Sequence, residues 1–194
     1  YDTALYTSYY NYDEKDRVEE WTLISEEYGE KWWYLFKYDY MSKDLIQLIN
    51  YDEDGESWRD YIYLNDKGYV ELFEDYTYTY DANGYLVSCV WTGDWSEETA
   101  YRWRDGNLMS IEEKDGYSND SFSRYMTTLQ YDTNNANLVN IDIADFLLGY
   151  LWEIENLSLG LLPTGLTGQR SKNYITSFTE RYDSSQNDSG TFRG

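Results

Sequence analysis

The chain has 194 residues and a formal net charge of −22, and aromatic residues make up 20% of it. A surface this acidic repels phosphate groups, which excludes nucleic acids and anionic membrane surfaces as partners. The sequence contains no histidine and a single cysteine, Cys89. Without histidine, the Ser-His-Asp triad and most zinc sites are excluded. We therefore predict no metal site and no cofactor, and a buried, inert thiol at Cys89.

Short turn sequences recur between stretches in which aromatic and polar residues alternate with the two-residue period of β-strands. The first turn, at 12–18, places Asp16 where the clearest copy, at 78–86, has Gly84. Asp and Asn side chains bond nearby backbone groups, and glycine accepts a positive φ. Each copy therefore predicts a tight turn between two antiparallel strands. Further copies lie at 40–46, 64–70, 104–108 and 132–138.

The clearest predicted hairpin spans 76–91. Its second strand is apolar on both faces, with Cys89 and Trp91 on one side and Leu86 and Val90 on the other. A flat sheet with one exposed face does not need this pattern, which indicates that the sheet is curved. We predict an all-β fold, an antiparallel meander of successive β-hairpin repeats that form a curved sheet, in a single domain at 1–183.

The pattern changes after residue 140, where a strongly apolar run precedes one short predicted helix at 153–162. Pro163, Gly165 and Gly168 then interrupt regular structure. One more strand is predicted at 171–181. The polar residues at 184–194, rich in Ser, Asp and Gly, are predicted to be a mobile C-terminal tail.

Three turn sequences resemble the YD, or Rhs-type, repeat: YNYDEKDRV at 10–18, YTYDANGYL at 78–86 and YRWRDGNL at 101–108. NIDI at 140–143 and GQRSKN at 168–173 follow them. In this order, the parts resemble a family of surface lipoproteins of unknown function from gut Bacteroidetes, over most of the chain. Three features depart from the family pattern. Met41 and Asn65 replace the turn Asp, no closing hairpin is recognised after Arg181, and the lipid-bearing cysteine is missing.

The resemblance implies export to the outer membrane and exposure at the cell surface, with membrane contact only through a lipid anchor outside this sequence. It also implies association with a Sus-type nutrient-uptake complex, so that the expected partners are the outer-membrane transporter or other surface proteins. It implies no catalytic residue. We predict that the protein is not an enzyme.

Tryptophans are the candidate ligand-binding residues, because exposed planar rings stack on sugar rings or anchor protein partners. Trp32 and Trp33 are consecutive in a predicted strand, which places one indole on each face. Trp91 and Trp95 flank a predicted turn, and Trp95 stands among acidic residues. The alternative for each residue is a cross-strand aromatic ladder that holds a thin sheet together.

Three functions remain open. In the first, the protein is a non-enzymatic surface protein that binds a glycan or a peptide, or docks on a transporter. Alternatively, it is a purely structural module whose sheet edges pair with a partner. A glycoside hydrolase with a carboxylate pair is the third alternative, although no motif selects such a pair. DEDG at 52–55 is interpreted as a turn, because the later acidic ligands of an EF-hand are missing.

Overall fold

The computed structural model describes residues 5–27, 30–52, 55–91, 93, 96–118, 121–137, 165–184 and 189–193. These residues form thirteen β-strands and no helix, so that part of the chain has no helix able to cross a membrane. The strands keep their sequence order in the sheet, and paired neighbours are antiparallel. The predicted fold class is therefore confirmed, while the helix predicted at 153–162 lies outside the described residues. The strands are β1 (Leu5–Tyr12), β2 (Val18–Glu27), β3 (Glu30–Tyr40), β4 (Leu45–Asp52), β5 (Gly55–Leu64), β6 (Val70–Phe73), β7 (Tyr76–Tyr80), β8 (Leu86–Trp91), β9 (Ser96–Arg104), β10 (Asn107–Ser118), β11 (Ser121–Ala136), β12 (Asn173–Ser184) and β13 (Ser189–Arg193).

The chain divides into two compact units, Tyr1–Glu74 and Asp75–Gly194, each described by itself below. The C-terminal residues differ from the predicted mobile tail at 184–194, because Ser189–Arg193 form β13 and pair with β12. This strand cannot be recognised from its polar composition, because its backbone groups are paired with those of β12.

An Asp or Asn side chain at the start of the turn holds several hairpins. Oδ1 of Asp81 accepts the backbone N–H groups of Asn83 and Tyr85, both at 2.9 Å. Asp13 and Asn65 accept the equivalent pairs of N–H groups in their own turns. An Asn thus replaces the turn Asp without loss of the hydrogen bonds, and these side chains stabilise the turns.

The fourth residue of these turns has a left-handed backbone. Gly84 has a φ of 89° and Gly68 a φ of 79°. Asp16 occupies the same position in the first turn with a φ of 57°. The correspondence between Asp16 and Gly84 that the sequence indicates is therefore present in the backbone, where Asp tolerates the left-handed region better than most residues.

The two faces of the first unit are named after Trp32 and Trp33, which are consecutive in β3 and lie on opposite faces of the strand. The Trp32 face carries the core, and the Trp33 face lies opposite. Regular pairing of β3 with β2 and β4 keeps this alternation through the neighbouring strands. The deeply buried side chains of the Trp32 face include Phe36, Tyr38, Ile46, Leu48 and Ile62.

In the second unit, residues 165–173 run past the ends of several strands, and we call them the clasp segment. The backbone N–H of Gln169 donates to the carbonyl of Gly84 at 2.9 Å, and that of Lys172 donates to Gly106 at 2.8 Å. The carbonyl of Lys172 in turn accepts the N–H of Asn137 at 2.8 Å. The clasp segment therefore joins two hairpin turns to the end of β11.

Buried polar side chains fix the C-terminal end of the clasp segment. Nδ2 of Asn107 donates to Oδ1 of Asn173 at 3.0 Å, and Oδ1 of Asn107 accepts the backbone N–H of Asn173 at 2.9 Å. Nδ2 of Asn173 donates to the carbonyl of Asn135 at 2.9 Å. Ser171, which is 2% exposed, accepts the N–H of Leu108 through Oγ. These contacts give the GQRSKN motif a structural role.

Candidate functional site

A row of aromatic side chains crosses the Trp32 face of the first unit. The rings of Tyr10 and Trp21 stack with centroids 6.3 Å apart, and Trp21 stacks on Phe36 at 5.0 Å. Trp58, from β5, meets Phe36 edge-on at 6.5 Å. Asn50 of β4 pairs with both Phe36 and Trp58, which places it in the same row. The cross-strand aromatic ladder proposed as the alternative thus exists here, in this row.

Along β3, the side chains on one side of this row are buried, and those on the other side are exposed. Tyr38 and Phe36 are 3% and 4% exposed, whereas Tyr34 and Trp32 on the same face are both 39% exposed. Trp58, at the end of the row, is 37% exposed. The rings of Trp32, Tyr34 and Trp58 form what we call the open aromatic surface. It lies on the Trp32 face, near the end of the strands at which β2 connects to β3.

Trp33 lies on the opposite face and is 36% exposed, close to the value for Trp32. Ser25 pairs with Trp32, and Ile24 pairs with Trp33, in a register without irregularity. The two indoles therefore stand in the same strand, at similar exposure, on opposite faces. The sequence indicated Trp32 and Trp33 as candidates but did not single out Tyr34, although its two-residue spacing from Trp32 was a usable signal.

Trp91 belongs to the second unit and packs against Tyr76 with ring centroids 4.9 Å apart, in an edge-on arrangement. The hydroxyl of Tyr76 donates to Glu97, with both carboxylate oxygens at 3.0 Å. A Cβ built on Gly93 would overlap the indole of Trp91, so the turn residue covers part of the ring. Trp91 is thus held by packing, and Trp95 lies outside the described residues.

Cys89 is buried on β8. Burial raises the pKa of its thiol, the charge of Glu97 acts in the same direction, and a hydrogen bond with Tyr78 only partly offsets them. A thiol that stays protonated is a poor nucleophile, in agreement with the prediction from the sequence. Among the described residues, no group of three or more acidic or cysteine side chains could hold a metal ion.

Glu180 lies on β12 of the second unit and pairs with Thr127 on β11, and burial raises the pKa of its carboxyl. The unfolded carboxyl releases its proton near its ordinary value of 4.5, before the folded one does. The stability that this group confers is therefore present below that pH and lost as the pH rises through the folded pKa. We expect Glu180→Gln to raise the Tm at pH 7 by about 2 °C and to leave it unchanged near pH 4.

The measurement is thermal unfolding at both pH values, with Glu20→Gln as the control of opposite sign. Lys37 and Asn11 lower the pKa of Glu20, so its loss should reduce the Tm at pH 7 and matter less in acid. An effect of Glu180→Gln that is the same at both pH values would assign the change to packing and contradict this account of the charge.

The geometry defines an all-β hairpin array with an open aromatic surface on its first unit. No protein-family model matches the chain, and no curated protein matches it. Among solved structures, it is similar to a porin-like protein from Bacteroides uniformis ATCC 8492, with a TM-score of 0.61 and 14% identity. The alignment covers 98% of this chain and 87% of that chain. At this identity the likeness shows the fold, and the resemblance to YD-repeat surface lipoproteins stays a prediction.

Proposed function

We propose that this protein is a non-enzymatic binding protein of the bacterial outer membrane or cell surface, and that it binds a glycan through the open aromatic surface. The observation that carries this proposal is the exposure of Trp32, Tyr34 and Trp58 on the face that buries Trp21, Phe36 and Tyr38. Leaving large rings in water loses hydrophobic stabilisation, which a ligand that covers them would recover.

The spacing of the rings suits an extended ligand. Trp32 and Tyr34 are two residues apart on one face of β3, about 7 Å along the strand. Trp58 lies two strands away from β3, roughly 10 Å across the sheet. Rings spread over this area would contact more than one sugar of a glycan chain. Rings held on strands also lose little conformational freedom on binding, because their backbone is already fixed.

Two observations support a location at the outer membrane. The turn motifs resemble those of Bacteroidetes surface lipoproteins, and the structural neighbour is a porin-like protein from a Bacteroides species. We include in the proposal the lipid anchor outside this sequence and the association with a Sus-type uptake complex. Membrane fractionation of the native organism tests the location: the protein should be recovered with the outer membrane and be degraded by protease added to intact cells.

Binding is tested with the adjacent tryptophans as a matched pair. We expect Trp32→Ala to weaken glycan binding at least about tenfold, because a central aromatic anchor contributes on this scale. Trp33→Ala removes an indole of similar exposure from the opposite face and should leave affinity within about twofold. The measurement is isothermal titration calorimetry with oligosaccharides selected on a glycan array. Equal losses in the two variants, or no glycan bound, would contradict the proposal.

A second candidate function is docking on a protein partner through the Trp33 face, without ligand binding. The exposed side chains on that face favour it, since Tyr61 and Tyr63 are 38% and 46% exposed in addition to Trp33. In that case, Trp33→Ala should reduce co-purification of a transporter from native membranes, and Trp32→Ala should not. The same two variants therefore distinguish the two functions.

A further inference from the structure

Charges on the first unit are sorted between its two faces. The basic residues within β1–β6 are Lys31, Lys37 and Arg59. Lys31 and Lys37 alternate with Trp32 along β3, and Arg59 pairs with Ile49, so all three lie on the Trp33 face. Lys31 and Lys37 are paired there with Glu26 and Glu20, at 2.7 and 2.8 Å.

The strand positions of the Trp32 face that the structure describes carry acidic groups and no basic group. Glu30 precedes Trp32 by two residues on β3 and is exposed. Asp52 follows Asn50 by two residues on β4 and is partly exposed, and Asp60 pairs with Leu48. The basic residue that follows β3, Lys43, lies beyond the other end of this strand, roughly 25 Å or more from Trp32. At that distance its charge is screened at physiological salt.

We infer that the ligand of the open aromatic surface is a glycan without anionic groups. A uronic acid or sulfate would approach Glu30 and Asp52 without a nearby cation, in a chain whose formal net charge is −22. The described cation of this face, Arg17, lies over the ring of Tyr40 at the other end of β3 and is paired with Asp13. Neutral hydroxyl groups meet no such repulsion, and their hydrogen bonds can be made to carboxylate oxygens. This inference rests on the proposed function and adds the chemical class of the ligand to it.

The test compares neutral oligosaccharides with the same oligosaccharides oxidised to uronic acids at C6, which differ only in charge and in that one group. Affinity is measured by isothermal titration calorimetry at about 0.05 M and about 0.5 M salt, and the difference should shrink at the higher salt. We expect the oxidised form to bind at least about tenfold more weakly at low salt.

A charge-reversal pair keeps the test independent of sugar identity. Glu30→Lys places a cation on the Trp32 face and should raise affinity for the oxidised form severalfold. Asp39→Lys makes the same change of charge on the same strand but on the Trp33 face, and should do so much less. Oxidised ligands that bind the wild type as tightly as neutral ones would overturn the inference, while a loss in Trp32→Ala would still support glycan binding. If neither form binds, both proposals fail.

Discussion

Replacing Gly168 with alanine is expected to destabilise the second unit by about 3 kcal/mol, since a left-handed backbone and a steric overlap add together. Gly168 has a φ of 91°, and a Cβ there would overlap the carbonyl oxygen of Gly84 and come 3.0 Å from the ring of Tyr80. The same carbonyl accepts the N–H of Gln169. A methyl group would therefore push the clasp segment away from the turn at Gly84, to which it is hydrogen-bonded.

Gly165 provides the matched control because it lies in the same segment with a φ of 71° but with no atom within 4 Å of a Cβ. Gly165→Ala should cost only about 1 kcal/mol, the left-handed contribution alone. Urea denaturation followed by tryptophan fluorescence measures both variants. If the two substitutions cost the same, the close approach of the clasp segment to Gly84 is not what makes Gly168 necessary.

The second large effect is expected at Asn173, where alanine should cost about 3 kcal/mol. The substitution removes the bond from Asn107 Nδ2 at 3.0 Å and the bond to the Asn135 carbonyl at 2.9 Å. Asn107 is 6% exposed, so its amide would lose a partner where water has little access. A buried polar group left without a partner costs more than the hydrogen bond itself contributes.

Asn83→Ala is the control for this prediction, because Asn83 is an exposed turn residue whose side chain makes a long 3.4 Å contact with Asp81. It should change stability by less than about 0.5 kcal/mol. The double variant of Asn107 and Asn173 should be less destabilised than the sum of the single variants, because each single change already breaks the shared bond. Strict additivity would show that the two amides act independently.

Local rules account for what the sequence predicted correctly. The Asp81 turn can be read from four residues because the bonds from Asp81 to Asn83 and Tyr85 are internal to the turn. The same logic predicted the left-handed position at Asp16. Sequential pairing from β1 to β11 follows from short connections between the strands, so this part of the meander also needed no long-range information. The pairing of β11 with β12 spans a much longer connection and does not follow from this rule.

Contacts between distant residues were beyond the sequence. Tyr80 donates its hydroxyl proton to the carbonyl of Leu166, and no local pattern connects residues so far apart. Exposure along β3 is another example. Trp32 and Phe36 lie on the same face of the strand, but Trp32 is 39% exposed and Phe36 is 4% exposed. Which end of a strand is covered depends on tertiary packing, so the sequence could offer Trp32 and Trp33 as candidates without distinguishing them.

The most direct test of glycan binding at the open aromatic surface is an NMR titration that observes the indole N–H signals of the eight tryptophans. Single Trp→Phe variants assign the signals, and a neutral oligosaccharide from the glycan array is the ligand. The signals of Trp32 and Trp58 are predicted to shift together and to saturate at one Kd, while those of Trp33 and Trp91 stay in place. Shifts at Trp33 without shifts at Trp32, or no shift at saturating ligand, would contradict the account.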